Sequence, residues 1–149
     1  MQKLNLPEYP IKFGNINDKL SIFDPIRKRY VIVTPEEWVR QNFLLFLIND
    51  KKYPTSLLAI EKKIVFNSLT KRCDIVAYNN KGEALLIVEC KAPDIDINQK
   101  TFDQIARYNM TLKVSYLIVS NGLKHYCCFI DFVNSAYHFL DEIPDYNML

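Results

Sequence analysis

The strongest constraint in this sequence is an apolar run, Ala84–Val88, that is followed at once by Glu89, Cys90 and Lys91. Such a run is typical of a strand buried on both faces of a sheet, where a charged side chain is costly unless another interaction compensates for it. Because alternate residues of a strand point to the same face, Glu89 and Lys91 should share one side of the sheet. This end of the strand is therefore predicted to form a polar site, with a metal ion and a phosphate as the compensating charges.

A turn sequence before this strand places a second acid nearby. The segment Tyr78–Glu83 is typical of a β-hairpin turn. If its two end residues pair, Asp74 lies opposite Ile87 and diagonal to Glu89, on the same face. We therefore expect two carboxylates and the ammonium group of Lys91 to converge.

This combination of side chains suits metal-dependent phosphodiester hydrolysis. Hard carboxylate oxygens bind Mg²⁺, the ion polarises the phosphoryl oxygen and activates water, and a lysine stabilises the developing charge. The Glu-x-Lys tripeptide alone is not specific. On the tripeptide alone, an ion pair at a strand end, with Lys91 turned to solvent, is the favoured explanation, and it contributes at most about 1 kcal/mol.

A series of motifs in a fixed order, from about Thr34 to Gly122, strengthens the nuclease hypothesis. They are Glu37–Arg40, Arg72–Val76, Ile87–Pro93, Gln104–Tyr108 and Ser120–Gly122. In order and content they resemble the PD-(D/E)xK nuclease superfamily, and in particular the N-terminal nuclease domain of type I restriction enzyme R subunits. Cys73 stands where the superfamily name has a proline.

The resemblance implies a role for each matching residue. Asp74 and Glu89 would bind the metal ion, Mg²⁺ or Mn²⁺, and Lys91 would assist attack on the phosphate. Gln104 would belong to the catalytic set, and Glu37 would complete the metal shell.

Three further residues would contact the DNA substrate: Arg40, Tyr108 and Asn121. Gln104 and Tyr108 are four residues apart, so on a helix they stack on one face, where an amide and a phenol would orient a phosphate or a metal-bound water. Packing of that face against the sheet explains the same spacing.

The sequence leaves two roles open for Glu37. Thr34, Pro35 and Glu37 form a capping box at the start of a helix that runs to about Asn49. In that role the carboxylate of Glu37 caps the backbone of Thr34 and contributes on the order of 1 kcal/mol. In the other role it is a metal ligand.

The remaining periodicity predicts a mixed α/β fold, with a restriction-endonuclease-like central sheet flanked by helices. A small β appendage occupies residues 1–33 and the core occupies residues 34–140, within one domain. The helix after the Glu-x-Lys strand, Gln99 to about Met110, should cross over to a further strand of the same sheet. Strands are predicted at 11–13, 20–23, 30–33, 57–66, 114–120, 125–131 and 136–140.

Composition limits the function further. The 149 residues are 49% hydrophobic and carry a net charge of only +2, which argues against a protein that coats nucleic acid by bulk electrostatics. Two basic clusters would flank an acidic cleft or would simply be solvated charge. They are Lys62, Lys63, Lys71 and Arg72, and Lys100, Arg107 and Lys113. The four cysteines lie in apolar strand patterns and are expected to be buried free thiols.

No apolar run reaches the roughly 20 residues that span a bilayer, and the polar N-terminus lacks a signal peptide, so we expect a cytoplasmic protein without a membrane partner. The chain has no Gly-x-x-x-x-Gly-Lys-Ser/Thr loop, so we expect a stand-alone nuclease core that lacks a translocase. The expected partners are DNA and either a second copy, since a dimer cuts both strands most easily, or a restriction-system subunit. The alternative is a non-catalytic DNA-docking or assembly module with the same fold.

Overall fold

Two sheets and two long helices form the fold in a computed structural model that describes residues 1–149. The first sheet is antiparallel and contains β1 (Phe13–Ile16), β2 (Lys19–Asp24) and β3 (Arg29–Ile32). The central sheet contains, in spatial order, β4 (Leu58–Phe66), β5 (Leu69–Tyr78), β6 (Ala84–Cys90), β7 (Tyr116–Ser120), β8 (His125–Asp131) and β9 (Ala136–Leu140). The helices are α1 (Pro35–Asn49) and α2 (Gln99–Met110), with short 3₁₀ turns at Thr55–Leu57 and Tyr146–Met148.

Helix α2 connects β6 to β7, which is the only parallel pair of the central sheet. The other neighbouring strands are antiparallel. The mixed α/β fold, the order of its helices and the crossover were all predicted from the sequence, and the structure confirms them. This connection also brings the end of β7 beside the end of β6, where the charged motif lies.

Each face of the central sheet is covered by one helix. On one face α1 packs through Phe43, Leu44 and Leu47 against β5, β6 and β7. On the other face α2 packs through Phe102 and Ala106. Strand β6 is therefore buried from both sides, and its residues Leu86, Ile87 and Val88 are fully inaccessible. This burial explains the uninterrupted apolar run before Glu89.

The N-terminus of α1 has the predicted cap. The hydroxyl oxygen of Thr34 accepts a hydrogen bond from the Glu37 backbone N–H at 3.0 Å, and Pro35 occupies the first helical position. The reciprocal bond from the Glu37 carboxylate is replaced by ion pairs with arginines. Only one of the two hydrogen bonds of a capping box is therefore present, and the Glu37 carboxylate pairs with Arg27 and Arg40 instead.

Several predicted strand boundaries need correction. Strand β1 begins at Phe13 rather than ending there, because the chain turns at Asn17 and Asp18, whose φ angles are 49° and 63°. Two successive residues in the left-handed region make the tight hairpin turn that matches strand twist. Strand β3 ends at Ile32, and β7 begins two residues after Val114.

Residues beyond the predicted core boundary at 140 also pack on the α1 side of the sheet, through Ile143, Tyr146 and Leu149. The proposed division into an appendage, residues 1–33, and a core, residues 34–140, remains a prediction. All four cysteines are buried free thiols, as predicted. Neither helix has the length and apolar character that crossing a membrane requires.

The predicted register of the β5–β6 hairpin was wrong by two residues. Val76, not Asp74, pairs with Ile87, and a bulge shifts the register between Ala77 and Tyr78. The turn is also held by one side chain: the amide oxygen of Asn79 accepts hydrogen bonds from the backbone N–H groups of Lys81 and Glu83, at 2.9 and 3.0 Å. Neither this capped turn nor the bulge follows from counting residues between strands.

A glycine in the β7–β8 turn makes a testable contribution to stability. Gly122 has φ +84°, and an added Cβ would lie 2.7 Å from the Leu4 side chain and 3.1 Å from that of Val39. We expect Gly122→Ala to reduce the free energy of unfolding by about 2–4 kcal/mol, from backbone strain and overpacking together. The control is Gly82→Ala, at φ +78° in open space, which should cost only about 1–2 kcal/mol. Equal losses in urea denaturation would show that the contacts of Gly122 do not matter.

Candidate functional site

The site begins with a break in the alternation of β5. In a regular strand Cys73 and Ile75 would share a face, yet Cys73 packs in the α2-side core and Ile75 in the α1-side core. On the neighbouring strand Glu61, between the paired residues Ile60 and Lys62, has φ +50°. This irregularity turns Asp74 toward α1, so the expectation that strict alternation aims Asp74 and Glu89 at one face was wrong.

Both oxygens of Asp74 have partners. Oδ1 accepts a hydrogen bond from Nη2 of Arg40 on α1 at 2.8 Å, and Oδ2 accepts one from the backbone N–H of Cys90 at 2.8 Å. The second bond joins β5 to β6 just where their regular pairing stops at Ile75 and Val88. The Asp74 side chain therefore spans the gap at which the two strands separate.

Two arginines organise a group of acids that we call the carboxylate cluster: Asp24, Glu36, Glu37, Glu61 and Asp74. Arg40 pairs with four of them, Glu36 at 3.3 Å, Glu37 at 2.8 Å, Glu61 at 3.5 Å and Asp74 at 2.8 Å. Arg27 pairs with Asp24 at 2.6 Å, Glu37 at 2.7 Å and Glu61 at 3.4 Å. Five carboxylates thus share two guanidinium groups, which leaves an excess of negative charge beside β5.

The pKa values of the charged groups in the cluster reflect this arrangement. Burial by itself would lower the pKa of Arg40, but its contacts with Asp74 and Glu37 outweigh burial and raise it above the usual value. Burial, together with the charge of Asp74, raises the pKa of Glu36. Burial would also raise the pKa of Asp24, but hydrogen bonds from Arg27 and Gln41 hold it below its ordinary value. The negative charge of the carboxylate cluster is therefore compensated best beside its two arginines and least at Glu36.

Glu89 lies on the face of the central sheet that α2 covers, opposite to the face toward which Asp74 is turned. It pairs in register with Val119, which belongs to the α2-side core, and its carboxylate forms an ion pair with the ammonium group of Lys71. That ammonium lies 5.1 Å from the centre of the Tyr108 ring on α2. Burial raises the pKa of Glu89, even though Lys71 and Lys91 act in the opposite direction.

Lys91 directly follows β6, and its backbone N–H donates to the Ser120 carbonyl oxygen at 2.8 Å. Its side chain is half-buried and in no ion pair. Its positive charge nevertheless opposes the rise that burial causes in the pKa of Glu36 and of Glu89, so it acts on the two acidic groups at once. Of the predicted site residues, Lys91 is the one with a cationic group free to meet a ligand.

The other predicted residues occupy different surroundings. Gln104 is exposed on α2, one turn from the half-exposed Tyr108. Asn121 is buried, and its amide holds two segments together: it donates to the Ile95 carbonyl oxygen at 2.8 Å and accepts from the N–H of Lys124 at 2.8 Å. Contacts of this kind order the loop after β6. The substrate-binding roles of Asn121, Arg40 and Tyr108 and the catalytic role of Gln104 stay predictions.

The donor set fits a divalent cation in its chemistry. Asp74 and Glu89 offer hard carboxylate oxygens on adjacent strands, where the pairing of β5 with β6 stops, and the charge of Asp74 contributes to the raised pKa of Glu89. Each is paired with a cationic side chain, Arg40 or Lys71. In this arrangement no three His, Cys, Asp or Glu side chains converge as metal ligands.

Sequence reasoning missed the partners of the predicted acids. The sequence places Lys71 only in a basic cluster, and no motif marks Arg27. A signal existed for Lys71, since a buried carboxylate such as Glu89 requires a cationic or hydrogen-bonding partner. Choosing that partner requires the register of β5 against β6, which the sequence did not supply.

A mixed sheet with one helix on each face, and an Asp, a Glu and a Lys where two of its central strands separate, defines a restriction-endonuclease-like α/β domain. Within that class the family can be specified. The model of the family described as type I restriction enzyme R protein N terminus (HSDR_N) matches residues 35–144, and the chain belongs to this family. The resemblance inferred from the sequence motifs is thereby confirmed. No curated protein matches the chain.

The carboxylate cluster predicts a large effect of removing Arg40. We expect Arg40→Met to lower the free energy of unfolding at pH 7 by about 3–5 kcal/mol, because it leaves buried carboxylates without their counter-charge. The matched control is Glu36→Gln, at the rim of the same cluster with its side chain 48% exposed, which should change stability by at most about 1 kcal/mol. Urea denaturation measures both. Similar values for the two variants would mean that Arg40 does not hold the cluster together.

The raised pKa of Glu89 predicts how stability depends on pH. Since the folded state holds this proton more tightly than the unfolded state, the contribution of Glu89 is fully present below the ordinary carboxyl pKa of about 4. It is lost as pH rises through the raised pKa. The stability of Glu89→Gln should therefore rise relative to that of the wild type as pH increases over that window. Urea denaturation from pH 3 to 8 tests this, with the exposed Glu142→Gln as control; parallel curves for Glu89→Gln and wild type would contradict it.

Proposed function

We propose that this protein is a metal-dependent DNA endonuclease, a restriction-type nuclease core. One observation carries the proposal: where the pairing of β5 with β6 stops, the adjacent strands carry the acids Asp74 and Glu89, and Lys91, which directly follows β6, has an ammonium group in no ion pair. Membership of the restriction enzyme R protein family supports the same conclusion. A purely structural motif would gain nothing from keeping buried acids beside an uncommitted lysine.

In this proposal Asp74 and Glu89 hold Mg²⁺ or Mn²⁺, and Glu37 is the third candidate ligand. When bound, the ion would act as a Lewis acid on the phosphoryl oxygen and lower the pKa of a water molecule. Glu89 would exchange the ammonium of Lys71 for the divalent ion. Glu37 would have to release an arginine, since its two oxygens contact Arg27 and Arg40.

The chain's own groups position the reaction. The Cys90 N–H fixes one oxygen of Asp74, and Arg40 fixes the other, so this carboxylate has a single orientation. Lys91, anchored by its backbone to Ser120, would stabilise negative charge on the phosphate undergoing attack. Gln104 and Tyr108 would contact the substrate from α2.

A second candidate, a non-catalytic DNA-docking or assembly module, is favoured by a different observation. Every acid of the predicted metal set is paired with a cation of the chain, and no three potential ligands converge. A domain in which these pairs are permanent would keep the fold without chemistry.

For the enzyme we propose a cytoplasmic location and action as a homodimer or with a restriction-system subunit.

A DNA cleavage assay distinguishes the endonuclease from the non-catalytic docking module. We expect Lys91→Ala to reduce the rate of plasmid DNA cleavage in Mg²⁺ or Mn²⁺ by at least about 100-fold, as loss of one charge-stabilising group does in other enzymes. Its folding should be unchanged. The control Lys81→Ala, in the exposed β5–β6 turn, should cleave at the wild-type rate. Wild-type activity in Lys91→Ala would remove this residue from the mechanism.

Metal binding is tested without assuming a substrate. Calorimetric titration of Mn²⁺ should give binding to the wild type and to Lys91→Ala, and at least about tenfold weaker binding to Glu89→Ala, because a carboxylate ligand is lost. Asp74→Asn should weaken binding similarly. Absence of binding to the wild type, both alone and with DNA present, would favour the docking module.

A further inference from the structure

The hairpin formed by β4 and β5 carries a like-charge pair that its own stability does not explain. Lys63 lies directly opposite Arg72 in the antiparallel register, and both side chains are exposed. Like charges in this position destabilise a strand pair. Neither residue forms an ion pair with an acid of the chain. The two cations therefore repel each other with no compensation from within the protein.

The rest of the sheet does not extend to this part of the hairpin. Strand β6 pairs with β5 only from Ile75 to Tyr78, so the residues of β5 before Asp74 have no strand partner except β4. Helix α2 supports one face of this ribbon. Ile64 and Leu69 pack against the α2-side core, and the Tyr108 hydroxyl donates to the Thr70 carbonyl oxygen at 3.5 Å. The ribbon is thus held in place from one side only.

The opposite face is open, and we call it the ribbon face: Lys63, Val65, Thr70 and Arg72. All four residues are exposed, and the paired positions 63 with 72 and 65 with 70 place them on one side. Arg72 is two residues before Asp74 on β5, so it shares the face to which Asp74 is turned. A row of two cations therefore continues from the carboxylate of the candidate site outward along the hairpin.

We propose that the ribbon face binds the phosphate backbone of duplex DNA beside the candidate site, with Lys63 and Arg72 each neutralising one phosphate. The inference rests on the proposed function in taking DNA as the ligand. The excess negative charge of the carboxylate cluster would repel a DNA backbone. Two cations without acidic partners next to Asp74 supply the local attraction that the small net charge of +2 does not.

The chemistry of this face favours a duplex over a single strand. Proteins that bind single strands combine cations with aromatic rings on which bases stack. The ribbon face has no aromatic side chain; Phe66 pairs with Leu69, which packs toward α2. Cations without stacking groups match a backbone whose bases are already paired and stacked. Contacts of this kind position the DNA and carry no sequence information.

The test compares two double variants of the whole chain with the same change in charge. One is Lys63→Gln with Arg72→Gln; the matched control is Lys19→Gln with Lys81→Gln, at exposed positions away from the candidate site. Binding of a fluorescent 20-base-pair duplex and of the corresponding single strand is measured by anisotropy in Ca²⁺ at several salt concentrations. Cleavage by the wild type and by Lys91→Ala is measured in parallel.

We expect the ribbon-face variant to bind the duplex about tenfold more weakly than the wild type. Its slope of log affinity against log salt should fall by about 2, one for each lost phosphate contact. The control should keep the wild-type slope. An unchanged slope in the ribbon-face variant, a wild type that does not bind DNA, or a loss confined to the single strand would overturn the inference.

The same experiments keep this inference separate from the proposed function. If the wild type cleaves no DNA but its duplex binding depends on Lys63 and Arg72, the inference stands and the catalytic proposal fails. If cleavage depends on Lys91 while the ribbon-face variant binds the duplex as the wild type does, the catalytic proposal stands and the inference fails.

Discussion

The placement of Arg40 is the constraint on which the candidate site depends. Its guanidinium group reaches from α1 to acids on the same helix, on β4 and on β5, and so ties the helix to two strands of the central sheet. Because a guanidinium carries five N–H donors in a planar fork, one side chain can serve several carboxylates at once. Arg27 extends the network to the first sheet through the fully buried Asp24. The orientation of Asp74, and with it the gap between β5 and β6, follows from this arrangement.

A buried network of ion pairs carries a free-energy cost of desolvation that an apolar core avoids. Buried ion pairs are often replaceable by apolar residues without loss of stability, since the desolvation of the charges offsets their attraction. Glu89 illustrates the cost directly, because burial raises its pKa despite the neighbouring lysine. The concentration of such groups where β5 and β6 separate, with the rest of β6 wholly apolar, distinguishes this part of the sheet from the remainder of the core. Sites that perform chemistry commonly accept such a penalty.

Sequence patterns predicted the elements well where local physics decides them. The Thr34 cap with Pro35, and the length of the apolar run in β6, depend only on nearby residues, and both were found as expected. The register of the β5–β6 hairpin and the direction of Asp74 were not predictable in this way. The first depends on a bulge and on the Asn79 side chain, and the second on an interruption opposite Glu61. One irregular residue changes the face of every side chain beyond it, so a site that lies across such a point cannot be placed by counting.

The docking of the N-terminal segment has a consequence for how the chain folds. The Asn5 N–H donates to the Gly122 carbonyl oxygen at 2.8 Å, and a ring nitrogen of His125 lies 2.8 Å from the Asn5 carbonyl oxygen. Contacts between residues about 120 positions apart form only after long loops have closed, which slows folding. The segment around Asn5 can therefore be secured only once the β7–β8 turn has formed. Until then Leu4 and Leu6, which pack with the α1-side core in the folded protein, lack their native partners.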